Sequence, residues 1–336
     1  MRRGTSALLE QFWRSQARIG AEVVALALDA WKLFNPLSPV HAGAYFVSGV
    51  LEIIRLRRAR SRANAIRFYR LYRALETGYT VQLPDGDLED VTLGDLRDEW
   101  ASENDGVREP EPDDDRVIPV EEFEWPDDRP EEYDRTAVTS LVSTGPARVR
   151  DIREDAERAG PERGGLDDPD VIAELESAGR NAARSADRAT LLAGRDLVER
   201  AGARDRRVVG WARVTDGNPC SFCAMLASRG AIYTSRQAAE VSDTSLRNAV
   251  GPDDIRKYHN GCHCQAVPVF SRSDFWVPGS RELYRDWQKV TRGLSGREAR
   301  IAWRRHIEAQ QRTRRQGENE LLLTRAREAY RNGERE

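Results

Sequence analysis

The sequence predicts an α+β protein, mainly α-helical, with a small antiparallel β unit that carries a Cys/His cluster and with an acidic, flexible internal segment. Three observations carry that expectation. Apolar residues recur at helical spacing near both ends and through the middle of the chain. One stretch, residues 207–270, is rich in strand candidates and holds all four cysteines and two of the four histidines. Between the helical parts lies a Pro-rich block of strong negative charge.

Taken in order, residues 5–34 form the first helix, with Leu9, Phe12, Trp13, Ile19, Val23 and Leu26 on its apolar side and Pro36 and Pro39 ending it. A second helix over about 40–77 contains "IRLRRARSRANAIRFYRLYR", with eight arginines between positions 55 and 73. Ile54, Ala65, Ile66, Phe68, Leu71 and Tyr72 give it an apolar side. Its arginines, with Arg55, Arg57, Arg58, Arg60 and Arg62 foremost, have two readings. They are a basic arm for DNA or an acidic partner, or a solvated face whose stems lie along apolar surface; the second is preferred. Residues 1–80 are therefore an N-terminal helical region.

Charge is segregated along the chain despite a net charge of only -3. Residues 1–77 carry 13 Lys and Arg against 5 Asp and Glu, residues 84–135 carry 5 against 22, and residues 281–336 carry 15 against 9. Segment 81–135 reads as an acidic linker, because proline and like charges oppose compaction. Within it "VIPVEEFEW" alternates enough for a strand or a docking segment. Hydrophobic residues make up 39% of the chain and charged ones 32%, so a core is expected in parts of it only.

Residues 136–205 return to helix, with Asp168 and Pro169 as a start signal and Gly202 as a stop. Small residues (Ala173, Ala178, Ala182, Ala183, Ala186, Ala189, Ala193) suit close helix packing there. Strand candidates "VVGWARV", "AIYTS" and "QAVPVF" follow, within a unit bounded at 136–275. Residues 276–336 form a C-terminal helical region around "GREARIAWRRHIEAQQRTRR". No apolar run is long enough to span a bilayer and no secretory signal is visible, so the chain is expected to be soluble and intracellular when made, without a membrane partner.

In a reducing compartment, clustered cysteines suggest metal or catalysis before disulfides. Cys220 and Cys223 stand three apart after the turn sequence "TDGNP", the spacing of a zinc knuckle. The second half is "YHNGCHCQAVPVF", offering His259, Cys262 and Cys264. Cys220, Cys223 and Cys262 are the preferred zinc ligands, with His259 and Cys264 competing for the fourth place and His263 a bystander. A site closed by four protein ligands is structural. Disulfides, or buried thiols, are the alternative. A nucleophilic reading would use Cys220 or Cys223 with His259 as base and Asp216 or Asp243 as its orienter, or Ser221, Ser242 or Ser245 with the same base. No G-x-S-x-G, Walker loop, G-x-G-x-x-G or H-E-x-x-H is present.

"GWARVTDGNPCSFCAMLASRGAIYTS", followed by "YHNGCHCQAVPVF", closely resembles the MuF-like head morphogenesis proteins of tailed phages, most of all those of actinobacteriophages. The shared pattern falls on Asp216, Cys220, Cys223, Gly230, Tyr233, His259, Cys262 and Cys264, and "SLVSTGPARVRDI" upstream also fits. The resemblance covers roughly residues 136–275. It implies a minor capsid protein made in the host cytoplasm, packaged in the virion head, and acting in procapsid assembly with portal, scaffold and major capsid proteins. Genes of this type are often labelled capsid maturation protease. That implies the alternative of an enzyme cleaving scaffold or major capsid protein, with catalytic residues unknown.

Overall fold

A computed structural model describes residues 3–104, 106, 108–159, 168–215, 217–231, 264–271 and 276–333, with side chains in the last helix described up to position 317. The frame is three long helices: α1 (Arg3–Lys32), α2 (Pro39–Thr77) and α6 (Pro169–Arg204). α2 packs against both others. Proline is tolerated in a first helical turn because that N–H has no intrahelical partner, and Pro39 opens α2 in this way. Gly78 closes it in the left-handed region at φ +80°, its N–H donated to the Ala74 carbonyl. Asp168 caps α6, accepting from the Asp170 N–H at 2.8 Å.

The apolar faces read from the sequence are largely buried: Leu9, Phe12 and Val23 of α1 meet Ile54, Ala65, Phe68, Leu71 and Tyr72 of α2 in two cores, and Ile19 is buried as well. Phe12 stacks on Phe68 with ring centroids 3.9 Å apart. Leu26 departs from the pattern and faces outward. The alanines of α6 from Ala178 to Ala201 are buried, while Ala173 and Ala203 are exposed. Gly202 does not stop α6, which continues to Arg204. A Cβ there would stand 2.6 Å from the Trp211 ring, so the residue is glycine because a strand presses against the helix at that point.

The acidic segment is where structure and expectation part. It is folded, not a flexible linker. β1 (Thr80–Val81) pairs in parallel with β4 (Val120–Glu121), and β2 (Val91–Thr92) pairs antiparallel with β3 (Val117–Ile118). Between them runs α3 (Leu93–Glu103), started by a reciprocal capping box of Thr92 and Asp95. Leu93, Leu96, Trp100, Ile118 and Trp125 enter the main core.

Two things overcome the like-charge repulsion. The apolar minority has a core to enter, and the carboxylates find guanidinium groups. Arg97 bridges Glu111, Asp113 and Asp114 at 2.7 to 3.0 Å, and Arg108 bridges Asp98 and Asp114. Glu99 and Glu103 meet Arg70 and Arg67 of α2. Arg108 and Arg97 hold the Asp114 carboxyl far below its usual range. Arg207, with Arg73, brings Glu121 down to about 2.

A depressed folded-state carboxyl contributes stability that is complete above its unfolded value and lost as pH falls through the folded one. Acid is therefore expected to loosen this segment first, between about pH 4.5 and pH 2. Hydrogen exchange of residues 84–121 should rise in that window before α6 exchanges. Uniform exchange across both would overturn this.

The remaining elements are α4 (Pro130–Thr144) and α5 (Pro146–Ala159), which lie along α6, then β5 (Gly210–Val214), α7 (Ser221–Ala227), β6 (Gln265–Val269), α8 (Ser280–Val290) and α9 (Gly296–Gly333). No helix among the described residues is long and apolar enough to cross a membrane.

Candidate functional site

β5 and β6 form an antiparallel ladder in which Gly210 faces Val269 and Val214 faces Gln265. Ala212, Val214, Val267 and Val269 belong to the main core, and the Tyr72 hydroxyl donates to the Pro268 carbonyl at 2.9 Å. This register decides where the cysteines go. β5 ends at Val214 and β6 starts at Gln265, so Cys264 lies at the same end of the ladder as the turn leading out of β5. That turn contains Gly217 at φ +76°, a conformation that favours glycine. It ends at Cys220, the N-cap of α7, whose sulfur accepts from the Cys223 N–H at 3.4 Å.

Cys220, Cys223 and Cys264 consequently pack into one cluster with Phe222 against them. Cys223 and Cys264 are 2% exposed, and Cys220 is half-buried. Cys264, one of the two candidates for the last ligand place, lies in this cluster. His259, Cys262 and His263 lie outside the described residues, as do Asp216, Tyr233, Ser242, Asp243, Ser245 and most of "AIYTS". Among the described residues, no three His, Cys, Asp or Glu side chains are arranged to hold a metal ion.

The turn and α7 are held from outside by α8 and α9, a role the sequence reading missed. Trp303 and Ile307, one helical turn apart, pack on Ala224 and Met225. The Trp303 indole N–H donates to the Ser221 carbonyl at 2.8 Å, and the Gln311 amide donates to the Pro219 carbonyl at 2.9 Å. Arg314 donates to the Gly217 carbonyl. Trp287 of α8 meets Trp303 edge-on with centroids 5.2 Å apart. The available signal was the spacing of Ala299, Trp303 and Ile307, a narrow apolar stripe on an otherwise polar helix.

The other candidate residues, the arginines of α2, are turned toward their own chain. Arg55 and Arg58 bind Asp134 at 2.8 and 2.7 Å, Arg57 and Arg60 bind Glu22 at 2.8 and 3.3 Å, and Arg62 donates to the Pro126 carbonyl at 2.6 Å. Arg58 also lies over the Tyr133 ring. A nucleic-acid phosphate would have to displace these partners. Further along α2, Arg73 and Asp205 form a pair that is almost wholly buried. Burial, with Asp205 beside it, pushes the Tyr69 phenol well above its ordinary range.

Residues 125–290, the stretch that contains the cysteine unit, match the model of a family described as VG15 protein. Two curated relatives are phage proteins. The Gene 15 protein of Mycobacterium phage L5 is 38% identical over 87 residues, covering 19% of this chain and 30% of the relative. The Gene 15 protein of Mycobacterium phage D29 is 39% identical over 79 residues, covering 19% and 29%. The chain thus spans less than a third of the length of the curated relatives it matches. No solved structure matches.

Proposed function

We propose that this chain is a minor capsid protein of the MuF-like head morphogenesis type, acting in procapsid assembly beside portal, scaffold and major capsid proteins. It would be made in the host cytoplasm and retained in the virion head. The reading is supported most by two findings together: residues 125–290, which match the VG15 protein family model, carry the cysteine unit, and part of the chain is similar to two phage proteins. The burial of that unit favours a structural role over a nucleophilic one. A reactive thiol must be reached by its substrate; Cys223 is enclosed, and Cys220, the other candidate nucleophile, is half-buried as the N-cap of α7 with its sulfur accepting from the Cys223 N–H.

The donor set fits zinc in kind. Cys220, Cys223 and Cys264 are zinc donors by their chemistry and share one cluster, though as they stand the three are not arranged around a common ion. Cys220, Cys223 and Cys264 would supply three ligands, and His259 or Cys262 the fourth. Bound there, zinc would act as a cross-link between the turn, α7 and β6.

Co-expression with the scaffold and major capsid proteins, scored by intact mass, tests the function. Unprocessed capsid proteins and heads that incorporate this chain are the expected result. Processing that disappears in His259→Ala would overturn it in favour of a maturation protease.

A further inference from the structure

α8 is amphipathic, and its two faces differ in kind. Leu283, Trp287 and Val290 pack toward Ala224, Met225 and Trp303, so the apolar face is taken by α7 and α9. Arg281, Arg285 and Lys289 recur at every fourth residue on the other face, a stripe about 12 Å long. Arg292 follows in the turn beyond. All four are exposed, and among the described residues none of them meets a carboxylate. Elsewhere the fold gives Arg55, Arg58, Arg70, Arg73, Arg97 and Arg108 carboxylates of their own.

The acids nearby do not cancel the stripe. α8 itself carries Glu282 and Asp286, and Asp286 is turned to His306 and Gln310 of α9. From 281 to 317 there are 11 Lys and Arg against 4 Asp and Glu (Glu282, Asp286, Glu298 and Glu308), a balance of +7. Residues 318–336 add 4 Arg and 5 Glu, which leaves the region positive. Helix stability does not account for the stripe either. Lys289 suits the C-terminal end of the helix dipole, but Arg281 stands in the first turn, where a cation is disfavoured. Like charges left unpaired along one exposed face have the chemistry of a contact for a polyanion.

The choice of polyanion follows from what surrounds the stripe. With its apolar face buried, α8 offers a lipid surface no amphipathic side. Single-stranded nucleic acid is held by a series of aromatic rings on which bases stack. The stripe has Tyr284 beside it, and that ring already leans on Trp276, with centroids 5.2 Å apart. The acidic segment of a second copy has part of its charge spent, since Glu99, Glu103, Asp114 and Glu121 hold arginines of their own chain. We infer that α8 docks on the phosphate backbone of duplex DNA, with Arg281, Arg285, Lys289 and Arg292 each neutralising one phosphate. Contacts of this kind carry no base sequence.

Fluorescence anisotropy of the full chain with a labelled duplex of mixed sequence, between about 50 and 200 mM salt, tests this. Four neutralised phosphates give the logarithm of the affinity a slope of about −3.6 in log salt, a loss of roughly 150-fold over that range. Arg281→Gln, Arg285→Gln and Lys289→Gln together should bring the slope to about −0.9, a loss of roughly 3.5-fold. Arg55→Gln on α2, where Arg58 still holds Asp134, should leave the slope unchanged. The circular dichroism melts of these variants should match the wild type. Should the triple variant melt early, Arg285→Gln alone is expected to reduce the slope by about 0.9. No binding at the lowest salt, a slope that the stripe variants leave unchanged, or an equal loss in Arg55→Gln would each overturn the inference. So would displacement of the duplex by the same charge of polyglutamate, which would make the face a seat for an acidic protein instead.

Discussion

Arg73→Leu is expected to lower the free energy of unfolding by about 3–5 kcal/mol, the usual cost of leaving a buried charge without its partner. Arg73 is enclosed where α2, β1, β4 and the end of α6 meet. Its Nε donates to Asp205 Oδ2 at 2.7 Å and its Nη1 to the Thr80 carbonyl at 3.1 Å, while Nη2 reaches Glu121. The side chains of Arg73 and Asp205 are 3% and 2% exposed. Without the guanidinium, Asp205 keeps only the Tyr69 hydroxyl at 2.9 Å and the Arg207 N–H at 3.0 Å. Glu121 is less affected, since Arg207 still holds it.

The pair's own value is a separate quantity. Exchanging both Arg73 and Asp205 for apolar residues should recover much of the loss, because neither charge is then stranded. Arg73→Lys should fall between, since an ammonium cannot reproduce the fork that spans three acceptors. Urea denaturation of the four proteins measures this. A loss below about 1 kcal/mol in Arg73→Leu would mean that water, not Arg73, satisfies Asp205.

This network also shows what was legible in the sequence and what was not. The three long helices were legible, because Pro36, Pro39, Asp168 and the apolar spacing act within a few residues of the boundaries they set. So were the two strands of the cysteine unit, and the clustering of the cysteines themselves. The order of segment 81–135 was not. Its charge pattern argues for disorder only if it is read alone. Its partners are Arg97 and Arg108 of the segment itself together with arginines of α2, and Arg55 and Asp134 stand 79 positions apart. Pairing at that distance has no local signature, and neither does the contact of α9 with the Gly217 turn, 97 positions away. The basic helix and the acidic block were each recognised, but not which arginine meets which carboxylate: Arg55 and Arg58 hold Asp134, while Arg57 and Arg60 hold Glu22 of α1.

Cys223→Ser, or removal of zinc by a strong chelator, is expected to release the cysteine unit while the long-helix frame stays folded. Structural zinc in small finger units contributes about 10–16 kcal/mol at neutral pH, so its loss exceeds what one side-chain contact in this unit supplies. β5 and β6 share the main core with Phe12, Phe68, Tyr69 and Leu197. Release should therefore begin at the Gly217 turn and α7, which lie outside that core, and leave the α1–α2 contacts in place.

Trypsin should cut first at Arg229, beside the freed α7, while α1, α2 and most of α6 remain resistant. The indole of Trp303 is tied to the Ser221 carbonyl, so its fluorescence should shift to the red as the turn leaves α9. Metal analysis should give about one zinc per chain, the number that four ligands allow. Acid should strip it, because protons compete for thiolate sulfur, and the loss deepens as pH falls.

His259 separates the remaining readings. If it is the fourth ligand, His259→Cys keeps the metal and the tryptic pattern, since thiolate can replace imidazole at zinc. If Cys262 is the fourth, His259→Ala is silent and Cys262→Ser behaves like Cys223→Ser. A reduced, metal-free chain with an unchanged melting temperature and an unchanged Trp303 signal would dispose of the zinc altogether. The cluster would then be held by packing around Phe222, and Cys223→Ser would cost only the small difference between a buried thiol and a hydroxyl.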